Sequence, residues 1–236
     1  MNEIINKLFI GDPNKAKFPI DRRMKVLSDN NLEGMSSENI KLVINECVKL
    51  FAKTYLEIGT YKGNTLISAK YNNSARCIAI DNFSEFNSNN NNIHELYYNL
   101  KRFNCGAEFY EGDYNKVIID IFKNEPNLKI DVYLYDGPHD YNNQINGLNI
   151  IQPYLSDKAI MLIDDASWTN VNNANLDWLK NNPEWNTLLL SHFTVEDWTN
   201  GTEEYRKSVN NSTIGWPAKG DIPYWWNGFR LFWRNI

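Results

Sequence analysis

The stretch Tyr55-Leu56-Glu57-Ile58-Gly59-Thr60-Tyr61-Lys62-Gly63-Asn64-Thr65 decides the fold. A short apolar run stops at Gly59. A second glycine, Gly63, stands just before a segment that predicts a helix from Asn64 to about Lys70. Glycines at a strand-to-helix turn admit positive φ and let a ligand approach the backbone closely. The spacing is not the G-x-G-x-x-G dinucleotide pattern, because Tyr61 and Lys62 intervene, and no Gly-Lys-Ser/Thr follows to make a P-loop. A plain tight turn is the alternative reading of these residues alone.

Outward from this turn, strands and helices alternate. Upstream, Ile40, Val43, Ile44, Cys47, Val48 and Phe51 form one helical stripe, with Ser36 and Ser37 as cap candidates. Downstream, Cys77-Ile78-Ala79-Ile80 reads as a strand ending at Asp81, and Ile93, Leu96, Tyr97 and Leu100 as a helical stripe. Ala107 to Tyr110 reads as a strand ending near Asp113, and Val117 to Phe122 as a helix. Val132 to Tyr135 reads as a strand ending at Asp136, and Ile145, Leu148, Ile151 and Gln152 as a helix. Ala159 to Ile163 reads as a strand ending at Asp164-Asp165, with a further helix around Leu176 to Leu179. Continuous apolar strands alternating with helices mark a parallel sheet covered on both faces. Two late strands, Leu188 to Phe193 and Phe229 to Trp233, have no helical stripe between them and suit an antiparallel hairpin at the sheet edge.

The 236 residues fit one sizeable domain. Lys+Arg total 24 against Asp+Glu 29, a net charge of -5, which argues against binding a nucleic-acid backbone. Cys47, Cys77 and Cys105 are too few and scattered for a disulfide framework or a zinc cluster, and read as buried thiols. No run approaches the roughly 18 apolar residues of a membrane span, and Met1-Asn2-Glu3-Ile4 lacks a signal-peptide pattern. The expectation is a cytoplasmic protein, in which triplets such as Asn82-Phe83-Ser84 are chance products of an Asn-rich chain.

Ligands of open α/β sheets bind outside the carboxyl ends of the strands. Here those ends carry Glu57, Asp81, Asp113, Asp136 and Asp164-Asp165. Gathering so many carboxylates is costly without a function, so a polar ligand with hydroxyls or amines, or a cation, is expected.

E-x-G-x-x-x-G after the first strand, an acid after the second and Gly112-Asp113 after the third resemble a class I S-adenosylmethionine-dependent methyltransferase, from roughly residue 34 onward. The resemblance implies a Rossmann-like, doubly wound, mostly parallel sheet with an antiparallel C-terminal edge hairpin. It implies S-adenosylmethionine bound by Glu57, Gly59, Thr60, Gly63, Asp81, Asn82, Asp113 and Asp136. In that family the glycine loop contacts the methionine moiety, the acid at Asp81 holds the ribose hydroxyls, and the acid at Asp113 lies near the adenine amine.

A narrower resemblance rests on Leu32-Glu33-Gly34-Met35-Ser36, Tyr135-Asp136-Gly137-Pro138-His139-Asp140-Tyr141 and Leu162-Ile163-Asp164-Asp165. Together they are similar to the small bacterial O-methyltransferases of sugar and natural-product pathways, the macrocin-type enzymes. It implies a divalent metal, Mg²⁺ or Mn²⁺, on Asp136, Asp164 and Asp165. That group more often has an acid where this chain has Pro138, which leaves His139 as the candidate base beside Asp136. By residue type, Asp164-Asp165 also suits a helix cap, Asp136-Gly137-Pro138 a turn, and His139 a structural hydrogen-bonder. His94 and His192 read as structural.

The expected activity is methyl transfer to a hydroxyl of a small molecule, a saccharide or sugar-containing metabolite, with metal assistance. A metal-free N- or O-methyltransferase and a non-catalytic S-adenosylmethionine-binding protein are the alternatives; the glycine spacing disfavours a nicotinamide enzyme. Residues 36–236 are expected to form the methyltransferase domain, with 1–35 a lid or dimer arm, so a homo-oligomer is allowed. Trp185 and Trp233 read as core. The aromatic residues between Trp198 and Trp226, with Tyr205 and Tyr224, suit either an acceptor-site lid or packing. Lys15, Lys17, Arg22, Arg23 and Lys25 read as a solvated face or as a site for a phosphorylated acceptor.

Overall fold

The computed structural model describes residues 23–86, 91–191, 225 and 227–236. Seven strands form one sheet: β1 (Thr54–Ile58), β2 (Arg76–Asp81), β3 (Glu108–Glu111), β4 (Ile130–Tyr135), β5 (Leu155–Ile163), β6 (Asn186–Leu190) and β7 (Phe229–Arg234). Their order is β3-β2-β1-β4-β5-β7-β6. The first five pair in parallel, and β7 runs antiparallel between β5 and β6. This is the Rossmann-like sheet with an antiparallel edge that the element order predicts.

Seven helices are described: α1 (Arg23–Asp29), α2 (Glu38–Phe51), α3 (Asn64–Lys70), α4 (Asn92–Arg102), α5 (Tyr114–Asn124), α6 (Tyr141–Ile151) and α7 (Thr169–Asn181). Ser37 caps α2, its hydroxyl accepting from the Ile40 N–H at 3.2 Å. Asp113 and Asp140 cap α5 and α6 in the same way.

Strand side chains alternate between two cores. Tyr55, Cys77, Ala79, Val132, Leu134, Ile160, Leu162 and Leu231 face α1, α2, α3 and α4. Leu56, Ile58, Ile78, Ile80, Tyr133, Tyr135, Met161, Ile163 and Phe232 face α5, α6 and α7. A strand buried on both faces has no polar side to show, which is why its sequence is continuously apolar. Buried Arg230 of β7 donates to Asn172 Oδ1 of α7 (2.7 Å) and Thr187 Oγ1 of β6 (3.3 Å), tying the edge strands to the helical layer.

Met24, Leu27 and Leu32 are buried in the first core, so the described part of the N-terminal segment packs onto the domain. Cys47 and Cys77 are buried and Cys105 half-buried, and burial pushes the first two thiols up to about 12. Trp185 is buried and Trp233 packs partly buried on the first core. Trp225, grouped with the aromatic loop residues on sequence, is a fully buried core residue. His192, Trp198, Tyr205, Trp216, Tyr224 and Trp226 lie outside the described residues, as do Lys15, Lys17 and Arg22 and the side chains of Arg23 and Lys25. No described helix is long and apolar enough to cross a membrane.

Candidate active site

The strand order reverses between β1 and β4, and open α/β sheets bind ligands at such a switch point. The ends of these strands approach closely. Gly59 N–H donates to Ile80 O (2.9 Å) and Asp136 N–H to Ile58 O (3.0 Å). Gly59 has φ +83°, and a Cβ there would lie 1.9 Å from the Asp136 carbonyl oxygen. Only glycine fits this crossing. Gly63, at φ +84°, closes the turn and opens α3.

Asp81 braces that turn from β2. Its Oδ2 accepts from the Tyr61 N–H and its Oδ1 from the Phe83 N–H, both at 2.7 Å. Each oxygen keeps a further lone pair, so the carboxylate can still accept from hydroxyls. Asn82 is exposed beside it and accepts from the Ser84 N–H. Asp113 is exposed at the head of α5, with Oδ1 accepting from the Asn115 N–H.

Glu57, which the resemblance places among the cofactor-binding residues, lies beneath the glycine turn. It is fully buried, with Tyr55 O–H donating to Oε2 (2.6 Å) and Thr65 Oγ1 donating to Oε1 (3.2 Å). It therefore holds α3 to β1 beneath the glycine turn. Burial pushes its pKa up to about 7, against the hydrogen bonds it accepts. A carboxyl whose pKa is raised on folding binds its proton more tightly in the folded state, so stability is lost as pH rises from its unfolded value, about 4.5, through about 7. Glu57→Gln is expected to reduce the loss of unfolding free energy between pH 5 and pH 8 by on the order of 3 kcal/mol. Urea melts of both proteins across that range provide the check.

At the ends of β4 and β5 the structure gathers Asp136, His139 and Asp165, one ligand atom of each lying within 4.8 Å of the others. His139 Nε2 sits 2.8 Å from Asp165 Oδ2 and 3.7 Å from Asp136 Oδ1. Both are ion-pair contacts when the imidazole is protonated, and Asp165 Oδ1 is buried without a hydrogen-bond partner. Burial alone would lower the imidazole pKa, but Asp136 and Asp165 outweigh it and hold it well above the ordinary range. Burial pushes the Asp136 carboxyl up, with the Asp165 charge adding to it and His139 opposing.

Asp165 adopts φ +50°, a left-handed conformation that Asp tolerates better than most residues. Its N–H donates to Asp164 Oδ1 (2.9 Å). The loop beyond it is held by Ala166 N–H to Gly228 O and Ser167 N–H to Asn227 O. Asp164, expected on sequence as a third metal ligand, is buried but its carboxylate lies outside the Asp136–His139–Asp165 group. Burial and its two acidic neighbours raise its pKa well above the usual carboxylate range. Trp168, not singled out on sequence, stands beside His139 with ring centroids 5.0 Å apart and is partly exposed. Its signal is weak, one tryptophan among eight, three residues past the acidic pair.

Residues 56–166 match the family model of a methyltransferase domain, a span that runs from β1 through Asp165. No curated protein matches the chain as a relative. The O-methyltransferase TomG from Streptomyces achromogenes, involved in tomaymycin synthesis and solved with SAM, superposes with a TM-score of 0.59 at 11% identity, covering 100% of this chain and 95% of its own. An O-methyltransferase from Bacillus cereus in complex with SAH gives 0.58 at 13%, covering 99% and 96%. The SAH-bound methyltransferase PaMTH1 from Podospora anserina gives 0.58 at 13%, covering 99% and 94%. At these identities the shared property is the fold. Residues 56–166 thus resemble a methyltransferase domain, and the chain shares the fold of these solved methyltransferases.

Proposed function

We propose that this protein moves a methyl group from S-adenosylmethionine to a hydroxyl oxygen of a small molecule, with a divalent cation, Mg²⁺ or Mn²⁺, held at Asp136 and Asp165. The observation that supports the cation is the convergence of Asp136, His139 and Asp165, one ligand atom of each within 4.8 Å of the others, with Asp165 Oδ1 buried and without a hydrogen-bond partner. Two carboxylates and an imidazole fit a divalent ion. A bound cation lowers the pKa of a hydroxyl that coordinates it.

The chain's own residues do the rest. The glycine turn and Asp81 hold the donor over the ends of β1 and β2. Trp168 offers an apolar face for the acceptor next to His139, which suits a saccharide ring. Positioning the acceptor oxygen about 3 Å from the methyl carbon supplies much of the acceleration. The hydroxyl proton leaves to a base; His139 is the imidazole beside the site, and it can take that proton only in its neutral form, which the carboxylates of Asp136 and Asp165 oppose.

Isothermal titration with S-adenosylhomocysteine, then with Mn²⁺, tests the reading, followed by turnover on a panel of saccharides with methyl-labelled donor. Binding of both and transfer to an oxygen support it. Absence of heat with S-adenosylhomocysteine removes it, and full turnover in the presence of a chelator removes the cation. His139→Ala separates two roles. If His139 is the base, kcat falls about 10²-fold or more while Mn²⁺ affinity holds; if it is a ligand, Mn²⁺ affinity falls with it.

A further inference from the structure

Tyr135, the last residue of β4, is buried, and nothing above uses its hydroxyl. The side chain folds back beneath the loop that follows it. Its hydroxyl shares one proton between two backbone oxygens, Asn143 O at 3.0 Å and Pro138 O at 3.3 Å. Pro138 stands between Asp136 and His139, and Asn143 lies in the first turn of α6. One side chain thus ties the loop that carries both site residues to the helix beyond it.

The residues around the ring make room for this arrangement. A Cβ at Gly137 would lie 3.0 Å from Tyr135 Cζ and 3.1 Å from its hydroxyl oxygen, and a Cβ at Gly147 would lie 2.1 Å from Cε2. Without those side chains, loop and helix both close on the ring. The loop is anchored at its ends, by Asp136 N–H on Ile58 O and by Asp140, whose Oδ1 accepts from the Asn142 and Asn143 N–H groups. Between these anchors, the Tyr135 hydroxyl makes the one hydrogen bond to the backbone of residues 137–139 among the described residues.

We propose that Tyr135 is a positioning residue: acting through Pro138 O, its hydroxyl sets where His139 stands relative to Asp136 and Asp165. The inference rests on the reading of the site given above and adds the support that keeps the imidazole 2.8 Å from Asp165 Oδ2.

Tyr133 supplies the control. It lies two residues earlier on the same face of β4, is also buried, and donates its hydroxyl proton to Gly147 O at 3.0 Å, in the body of α6 and away from the loop. Tyr135→Phe and Tyr133→Phe each remove one hydroxyl and keep the ring, so urea melts are expected to show similar losses of stability. Only Tyr135→Phe is expected to move the ring signals of His139 in nuclear magnetic resonance spectra recorded without metal; His139→Ala identifies those signals among the three histidines. Only Tyr135→Phe is expected to weaken Mn²⁺ binding, by about tenfold, because the loop it releases carries Asp136. Unmoved His139 signals in Tyr135→Phe, or equal movement in both variants, overturn the assignment. Failure of the unaltered protein to bind Mn²⁺ removes the cation instead, and the ring signals still decide what holds His139.

Discussion

Gly59→Ala is expected to abolish S-adenosylhomocysteine binding and to lower stability by about 2–5 kcal/mol. Two costs add. The left-handed conformation at φ +83° costs a residue with a Cβ roughly 1–2 kcal/mol. The new methyl would also meet the Asp136 carbonyl oxygen at 1.9 Å, which is backbone and can yield only by moving β4 away from β1. Overpacking of this kind typically costs about 1–3 kcal/mol. The displacement falls on both halves of the site, because Asp136 leaves β4 at that contact. Gly63→Ala is the comparison: its φ is +84°, but the nearest atom is the tip of Leu96 at 2.7 Å, which can swing aside. Only the conformational cost remains there. Urea unfolding and titration calorimetry on the two variants measure the difference. Equal destabilisation would show that the contact with β4 yields easily.

The second large effect concerns the acidic pair after β5. Asp165→Asn is expected to weaken Mn²⁺ binding by about 10²-fold, at least the upper end of what second-shell changes cost. The fold is expected to survive, since Asn keeps the size of Asp and accepts the left-handed backbone at φ +50°. Asp164→Asn is expected to hold Mn²⁺ affinity within a few-fold, because that carboxylate lies outside the group formed with His139 and Asp136. Titration of Mn²⁺ followed by electron paramagnetic resonance distinguishes the two. A large loss in Asp164→Asn and none in Asp165→Asn would return the ligand role to Asp164.

This pair shows how far residue order reaches. That both acids sit at the carboxyl edge is legible, because the apolar run Ala159 to Ile163 must end there. Which acid faces the site is not legible. Neighbouring residues at a strand end project to opposite sides, and Asp165 adds a left-handed turn of its own. The helix from Asn64 to Lys70 is read with its observed ends because a glycine turn opens it. The strand β5 begins at Leu155 rather than near Ala159, since Asp157 and Lys158 are exposed and break the apolar pattern. The short helix α1 has no cap or period long enough to be seen. Glu57 has the residue type of a cofactor ligand, yet its partners, Tyr55 two residues before and Thr65 eight after, bury it as a brace. Asp81 is found by its position, but its two backbone partners depend on left-handed turns at Tyr61 and Phe83 that no residue type announces.

Sheet order also constrains the timing of synthesis. β7 separates β5 from β6, so a chain emerging from the ribosome offers β5 no neighbour on that side until residues 229–234 have left the exit tunnel. Until then β5 and β6 both present bare hydrogen-bonding edges, the kind that recruit other chains. Completion of the sheet therefore waits on the last of its seven described strands, and a nascent chain stalled before Phe229 is the form most in need of a chaperone.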